Sequence, residues 1–223
     1  GKGDDDIYSF ERSCNQSING YVFDAISNNK IAGAVVALKN QNGEKIAETV
    51  SQVDGKYEFA KTLNCNTSYT VEVTKDNYNT NSKSIITPNS SGRTEVPMGL
   101  DPALIARENG VLKIKIGIIF FDLDKSDIRY DAAIELNKVV LLMHQYNTVV
   151  IKIESHTDSR ADDQYNLELS DRRAKATRDY LISQGVAPER IESAIGYGET
   201  QLINNCSNGV LCTEAQHQIN RRS

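Results

Sequence analysis

Ser155-His-Thr-Asp-Ser-Arg160 is the run richest in chemically capable side chains, and it follows an alternating apolar stretch, Val149, Ile151 and Ile153. Further on, Asn166, Ser170 and Arg173 are spaced four and three apart, which on a helix places them on one face across two turns. Asp158 brings a fixed negative charge, Arg173 a planar fork that can take a carboxylate bidentately, and Asn166 both a donor and an acceptor. A polar face beside a carboxylate can hold a zwitterion. Taken singly, each of these residues reads first as a structural salt bridge or a solvated charge.

Other chemistries fail on geometry or count. Ser155, His156 and Asp158 are triad residue types, but on an extended strand Ser155 and His156 point to opposite faces, so the base cannot reach its nucleophile. His156 and Asp158 with His144 or His217 lack a second histidine at ligand spacing, and no cysteine pair is close by. Asp122-x-Asp124-x-Ser126-Asp127 imitates the start of a calcium loop, yet Asp127 occupies the position of the sharp-turn glycine and Ala133 that of the bidentate glutamate. No metal, no cofactor and no enzymatic activity are expected.

The elements that must position Asp158 and Arg173 alternate strand with helix. Strands are expected over 111–116, with 118–122 extending or pairing with it, over 149–155 and over 191–197. A helix is expected over 131–146, with Leu136, Val139, Val140 and Met143 on one stripe, and a longer one over about 162–184, stopped by Gly185. That grammar implies an α/β sandwich of βαβαβ type with a small mixed sheet. Upstream the texture is different: short β-branched and aromatic runs at 18–23, 34–39, 45–50, 56–59, 69–74 and 84–86, separated by turns such as Gln41-Asn-Gly43 and Val53-Asp-Gly55. These read as an all-β antiparallel sandwich over 14–97. Between them a Ser/Gly/Pro-containing stretch and Asp101-Pro-Ala-Leu, a helix start by its Asp cap and first-turn Pro, place a linker at 98–110. The first thirteen residues, opening Gly1-Lys-Gly-Asp-Asp-Asp-Ile-Tyr, are expected to be the strand remnant of an upstream domain, with a disordered acidic tail as the alternative.

With 223 residues, 25% charged and 39% hydrophobic, the chain has room for one or two ordinary cores. A formal net charge of −5 supplies no general pull toward nucleic acid, so none is expected as a partner. The longest apolar stretch, around 116–121, is far short of the roughly 18 residues that span a bilayer, and no signal peptide opens the sequence. Four cysteines without a Cys-x-x-Cys pair suit two disulfides in an oxidising compartment. A Cys14–Cys65 bridge would close a long loop and a Cys206–Cys212 bridge a compact one; buried free thiols are the alternative.

Two family resemblances rest on ordered motifs. Ile18-Asn-Gly-Tyr-Val-Phe-Asp24, Ala34-Val-Val-Ala-Leu38, Asp54-Gly-Lys-Tyr-Glu-Phe59, Tyr69-Thr-Val-Glu-Val73 and Asn77-Tyr78 resemble the carboxypeptidase regulatory-like β-sandwich, which implies a spacer or interaction module. Phe121-x-x-Asp124-Lys-x-Asp127-Ile128, His156-Thr-Asp158, Tyr165-Asn166, Leu169-Ser170-x-x-Arg173-Ala174, Gly196-Tyr197-Gly198-Glu199 and Asn220-Arg-Arg222 resemble the C-terminal domain of outer membrane protein A, over 111–223.

The second resemblance implies non-covalent binding of peptidoglycan through the diaminopimelate of its stem peptide. Asp158 would pair with the ligand ammonium, Arg173 with its carboxylate, and Asn166 would orient them. The loop with Phe121 and Asp124 would form one wall, and Thr157, Leu169 and Arg172 would be second contacts. The chain would then anchor an outer-membrane protein to the cell wall at the periplasmic face, reaching the membrane through a part of the parent protein not present here. Ser155 and Ala161 stand where the family usually has glycine, and a final strand is expected to be missing after Ser223. The competing expectation is a structural or protein-interaction module that keeps the fold without ligand binding.

Overall fold

A computed structural model describes residues 13–122 and 124–223; the expected strand remnant falls almost wholly on residues 1–12, outside the described residues. The protein is mostly sheet with few helices. It divides into two compact units, one through Ala106 and one from Arg107.

The N-terminal unit is two packed sheets. Its strands are β1 (Asn15–Asp24), β2 (Val35–Lys39), β3 (Lys45–Val50), β4 (Lys56–Glu58), β5 (Leu63–Asn64), β6 (Ser68–Thr74), β7 (Asn81–Ile86), β8 (Gly92–Glu95) and β9 (Met98–Leu100). Every second residue of β1, from Gln16 to Asp24, is buried, the period-2 alternation of a strand with one face on the core. Ile18 and Val22 there meet Val36, Leu38, Val71 and Val73 from the facing sheet, of order β3-β2-β6-β7 and antiparallel throughout. The other sheet is not purely antiparallel, as the sequence had suggested: β4 and β5 run antiparallel to β1, but β8 and β9 pair with it in parallel.

That parallel pairing corrects the expected linker. Met98 and Leu100 are buried core residues of β9, because the chain returns along β1 and closes the sandwich with them. Nor does Asp101-Pro-Ala-Leu start a helix. Pro102 bridges to Tyr78, the Asn79 amide donates to the carbonyls of Pro102 (3.0 Å) and Ile105 (2.7 Å), and buried Ile105 opens β10 (Ile105–Glu108). Side-chain bonds thus take the carbonyls a helix would have used.

Cys14 and Cys65 are bonded across 51 residues, joining the chain at the start of β1 to the loop after β5. Replacing both by serine frees that loop in the unfolded chain and should lower stability by about 3–4 kcal/mol. Thermal unfolding checks it: a transition for this unit several degrees lower is expected, and an unchanged midpoint would count against the loop-closure argument.

In the C-terminal unit, β11 (Val111–Ile114) forms a two-stranded sheet with β10. Residues 115–122 are not strand, contrary to expectation, although Ile119 is fully buried. The helices α1 (Tyr130–Gln145) and α2 (Asp163–Ser183) fall where the 3.6 periodicity placed them. Leu136, Val139, Val140 and Met143 of α1 pack with Ala174 and Leu181 of α2 and Ile153 of β12 (Ile151–Ser155). A single 3-10 turn, Pro188–Arg190, leads into β13 (Ile191–Gly196), which pairs in parallel with β12. Among the described residues that sheet has these two strands, extended only by an antiparallel bridge between His156 and Arg222, so the expected three-strand mixed sheet is reduced. A third helix, α3 (Glu214–Asn220), starts at a capping box between Thr213 and Gln216. No helix among the described residues is long and apolar enough to cross a membrane.

Candidate functional site

The chain leaves β12 at Ser155 and runs Thr157, Asp158, Ser159 as a buried turn before the Asp162 side chain caps α2 by accepting from the N–H groups of Gln164 and Tyr165. This turn forms the floor of a cleft of about 650 Å³, walled by Phe121, Asp122 and Asp124 on one side and by Glu214, Gln218 and Arg221 of the α3 segment on another. Arg129, Arg160, Ala161, Tyr165, Asn166, Leu169 and Arg173 complete it. All lie in the C-terminal unit.

Asp158 is 7% exposed and sits among guanidinium groups. Its Oδ2 accepts from Arg160 Nη2 at 2.8 Å and from Arg221 Nη1 at 2.5 Å, and its Oδ1 accepts the Arg160 backbone N–H at 3.1 Å. Burial alone would push this carboxyl up, but the hydrogen bonds from Arg160 and Arg221 outweigh it and hold the group below the usual range, ionised at neutral pH. Glu214 closes the network from the far side, accepting from both Arg160 (2.7 Å) and Arg221 (2.5 Å).

Arg173 is as buried, at 4% exposure, but its company differs. Its Nε donates to the carbonyl of Lys125 at 3.1 Å and its Nη2 to that of Asp122 at 3.2 Å, and its guanidinium lies 5.0 Å from the Phe121 ring centroid. It forms no ion pair with any described residue. Burial, with a smaller push from Arg221, brings its pKa down to about 10, so it stays charged at neutral pH. A buried cation held by two carbonyls and a ring face is short of a negative partner.

Asn166 is a positioning group. Its Nδ2 donates to the carbonyls of Asp158 (3.1 Å) and Ala161 (3.2 Å) and to Glu199 Oε2 (2.6 Å), fixing the turn that carries Asp158 to the first turn of α2. Thr157, Phe121, Asp124 and Leu169 also line the cleft, with Asp124 bonded to the Tyr165 hydroxyl. Arg172 is not brought in: one residue is about 100° of helix, and the turn that buries Arg173 leaves Arg172 in solvent. Ser170, although on the α2 face read from the spacing, turns away from the cleft and accepts the Gly198 N–H at 2.8 Å. Neither Ser155 nor Ala161 has a positive φ, so the missing glycines impose no strain; Ser155 Oγ instead bonds Ser223 Oγ at 2.5 Å. No group of three or more potential metal ligands occurs among the described residues.

The sequence reading missed Arg160, Arg221 and Glu214. For Glu214 and Arg221 the signal was present in Thr213-x-x-Gln216, which announces α3 and so brings the following Asn-Arg-Arg beside Asp158.

Behind the turn, His156 stacks on Tyr197 at 5.6 Å, nearly parallel. Burial, then the charge of Arg222, lowers its pKa to about 4. In the unfolded chain the ring takes its proton near 6.5, so between there and about 4 the unfolded state holds more protons and stability falls as pH falls, by up to about 3 kcal/mol. Melting temperatures from pH 6.5 to 5 should drop more steeply for the wild type than for His156→Gln; equal slopes would contradict this.

Comparison with known proteins places both units. Residues 17–100 match the carboxypeptidase regulatory-like domain and residues 120–212 the OmpA family. A peptidoglycan-associated lipoprotein of Mesorhizobium japonicum is 37% identical over 123 residues, 54% of this chain and 70% of that protein. The chain belongs to the OmpA family. A peptidoglycan-associated lipoprotein of Brucella melitensis is 46% identical over 88 residues, 40% of this chain and 52% of that protein, so the chain spans about half of this relative's length. The crystal structure of the peptidoglycan-associated lipoprotein from Burkholderia pseudomallei is 27% identical and covers 47% of this chain and 83% of its own, with a TM-score of 0.42. Within the matched OmpA-family segment lie the Asp158 turn and the whole of α2; Arg221 lies past its end.

Proposed function

We propose that the C-terminal unit binds peptidoglycan non-covalently, gripping the diaminopimelate of the stem peptide, and so anchors an outer-membrane protein to the cell wall from the periplasmic side. The observation that carries the reading is Arg173, a buried guanidinium opening on the cleft with no carboxylate among its described partners. The ligand's carboxylate supplies that partner. Its ammonium goes to Asp158, whose Oδ1 accepts, among the described residues, only the Arg160 N–H and keeps a lone pair for the ligand. Arg160 is half-exposed and has Glu214 as a second partner, so it can yield Oδ2 as well. The relatives in Mesorhizobium and Brucella are named peptidoglycan-associated lipoproteins, which supports peptidoglycan as the partner. Binding needs no catalysis, and the β-sandwich over 14–97 serves as a spacer.

Each charge-assisted contact contributes about 1.5–3 kcal/mol, which for a single stem gives micromolar to millimolar affinity, and many copies on a polymeric wall raise it. Co-sedimentation with insoluble peptidoglycan tests the reading. Wild type is expected to pellet with diaminopimelate-type wall and weakly with lysine-type wall, and Asp158→Asn to stay in solution. Equal pelleting on both walls would remove the diaminopimelate assignment. Failure of folded wild type to pellet would remove peptidoglycan binding and favour a protein-interaction module.

A further inference from the structure

We infer that the Cys206–Cys212 bridge is a positioning element of the ligand cleft, which sets affinity by holding Asp158 and Asn166 in their binding geometry. This rests on the peptidoglycan reading and adds a covalent support that the charged contacts depend on. The two cysteines are six apart and bonded, and Cys206 is 2% exposed. A mere surface staple has no reason to reach the floor of the site, yet this loop reaches it twice.

The buried Cys206 carbonyl accepts the Ser159 hydroxyl at 2.6 Å, and Ser159 directly follows Asp158. Inside the bridged loop, Asn208 Nδ2 donates to Glu199 Oε1 at 2.8 Å, while the other oxygen of Glu199 takes the Asn166 amide at 2.6 Å. The loop also fixes the opposite wall. Asn204 Oδ1 accepts the Cys206 N–H (3.1 Å) and the Asn220 amide (2.7 Å), and Cys212 leads directly into the Thr213 cap of α3, which carries Glu214, Gln218 and Arg221. Closing the loop covalently pre-orders the groups that a ligand would otherwise have to order on arrival, a cost that appears as lost affinity.

Three variants of the 223-residue chain test this: Cys206→Ser with Cys212→Ser, Ser159→Ala with the bridge intact, and all three changes together. Calorimetric titration uses a soluble diaminopimelate-containing muropeptide. The bridge variant is expected to bind about 5- to 10-fold more weakly and Ser159→Ala about 3- to 10-fold. The triple variant should be scarcely weaker than the bridge variant, because the Ser159 hydrogen bond is among those the opened loop already loses. Ser159→Thr, which keeps the hydroxyl, should bind like wild type. Wild-type affinity in the bridge variant would overturn the inference, as would fully additive losses. Amide exchange at Ser159 and Asn166 reads the same coupling without ligand. Faster exchange in the bridge variant is expected even if the peptidoglycan reading fails, and unchanged exchange would overturn the inference by itself.

Discussion

Arg173→Ala is expected to abolish retention on diaminopimelate-type wall and to weaken binding of a soluble stem peptide by about 10- to 100-fold. The size follows from the loss of one charge-assisted contact in a water-poor site, about 1.5–3 kcal/mol. The change should also lower the melting temperature. The guanidinium bonds the carbonyls of Asp122 and Lys125 and packs on Phe121, so its removal strips two acceptors of their donor and leaves a void. Arg173→Lys separates the two effects. Lysine keeps a cation but not the fork, and burial that lowers the arginine pKa to about 10 drives an ammonium, which starts lower, further toward neutrality. The lysine variant should therefore fold nearly as well as wild type and bind little better than the alanine variant. Titration and thermal melts read both; wild-type affinity in either variant would contradict the role given to Arg173.

Gly196→Ala is expected to be strongly destabilising for so small a substitution. β13 crosses α2 so closely at this residue that an added Cβ would fall inside contact distance of the Asp171 nitrogen, the Ser170 carbonyl carbon and Ser170 Oγ. Backbone on both sides cannot swing away as a side-chain tip can. The strand would have to lift from the helix, disturbing the bond from Gly198 N–H to Ser170 Oγ and the β12 pairing that ends at Ser155 and Gly196. A cost of about 3 kcal/mol follows, lowering the melting temperature of the C-terminal unit by about 10 °C. Gly92→Ala is the control, because its Cβ would meet only Gln16 Nε2 at 3.7 Å. Similar small shifts for both variants would refute the close-packing argument.

The parts of the fold written in short-range periodicity were legible in the sequence. α1 and α2 begin and end within a residue or two of their expected bounds, because the apolar stripe of α1 and the Gly185 stop of α2 are local. The spacing of Asn166 and Arg173 identified one face of α2, and that face is buried against the Asp158 turn. What escaped was non-local. Nothing in Gly92-Arg-Thr-Glu95 or Met98-Gly-Leu100 announces a strand; these segments are strands because β1 lies beside them in parallel, more than seventy residues away in sequence. The same holds for Arg221, an ordinary arginine by type that only the closure of α3 over the turn places on Asp158. Arg160 is the local exception, two residues from the carboxylate it bonds. Arg172, one helical step from Arg173, is exposed and does not line the cleft.

The most direct test of the central claim is to titrate the full chain with a soluble diaminopimelate-containing stem peptide while following the Arg173 side-chain Nε–Hε resonance by NMR. Saturable movement of that resonance is predicted, together with the amides of Asp158 and Arg160, and a lysine-containing stem should move them far less. A ligand that saturates the protein without shifting Arg173, or equal shifts with both stems, would contradict the account.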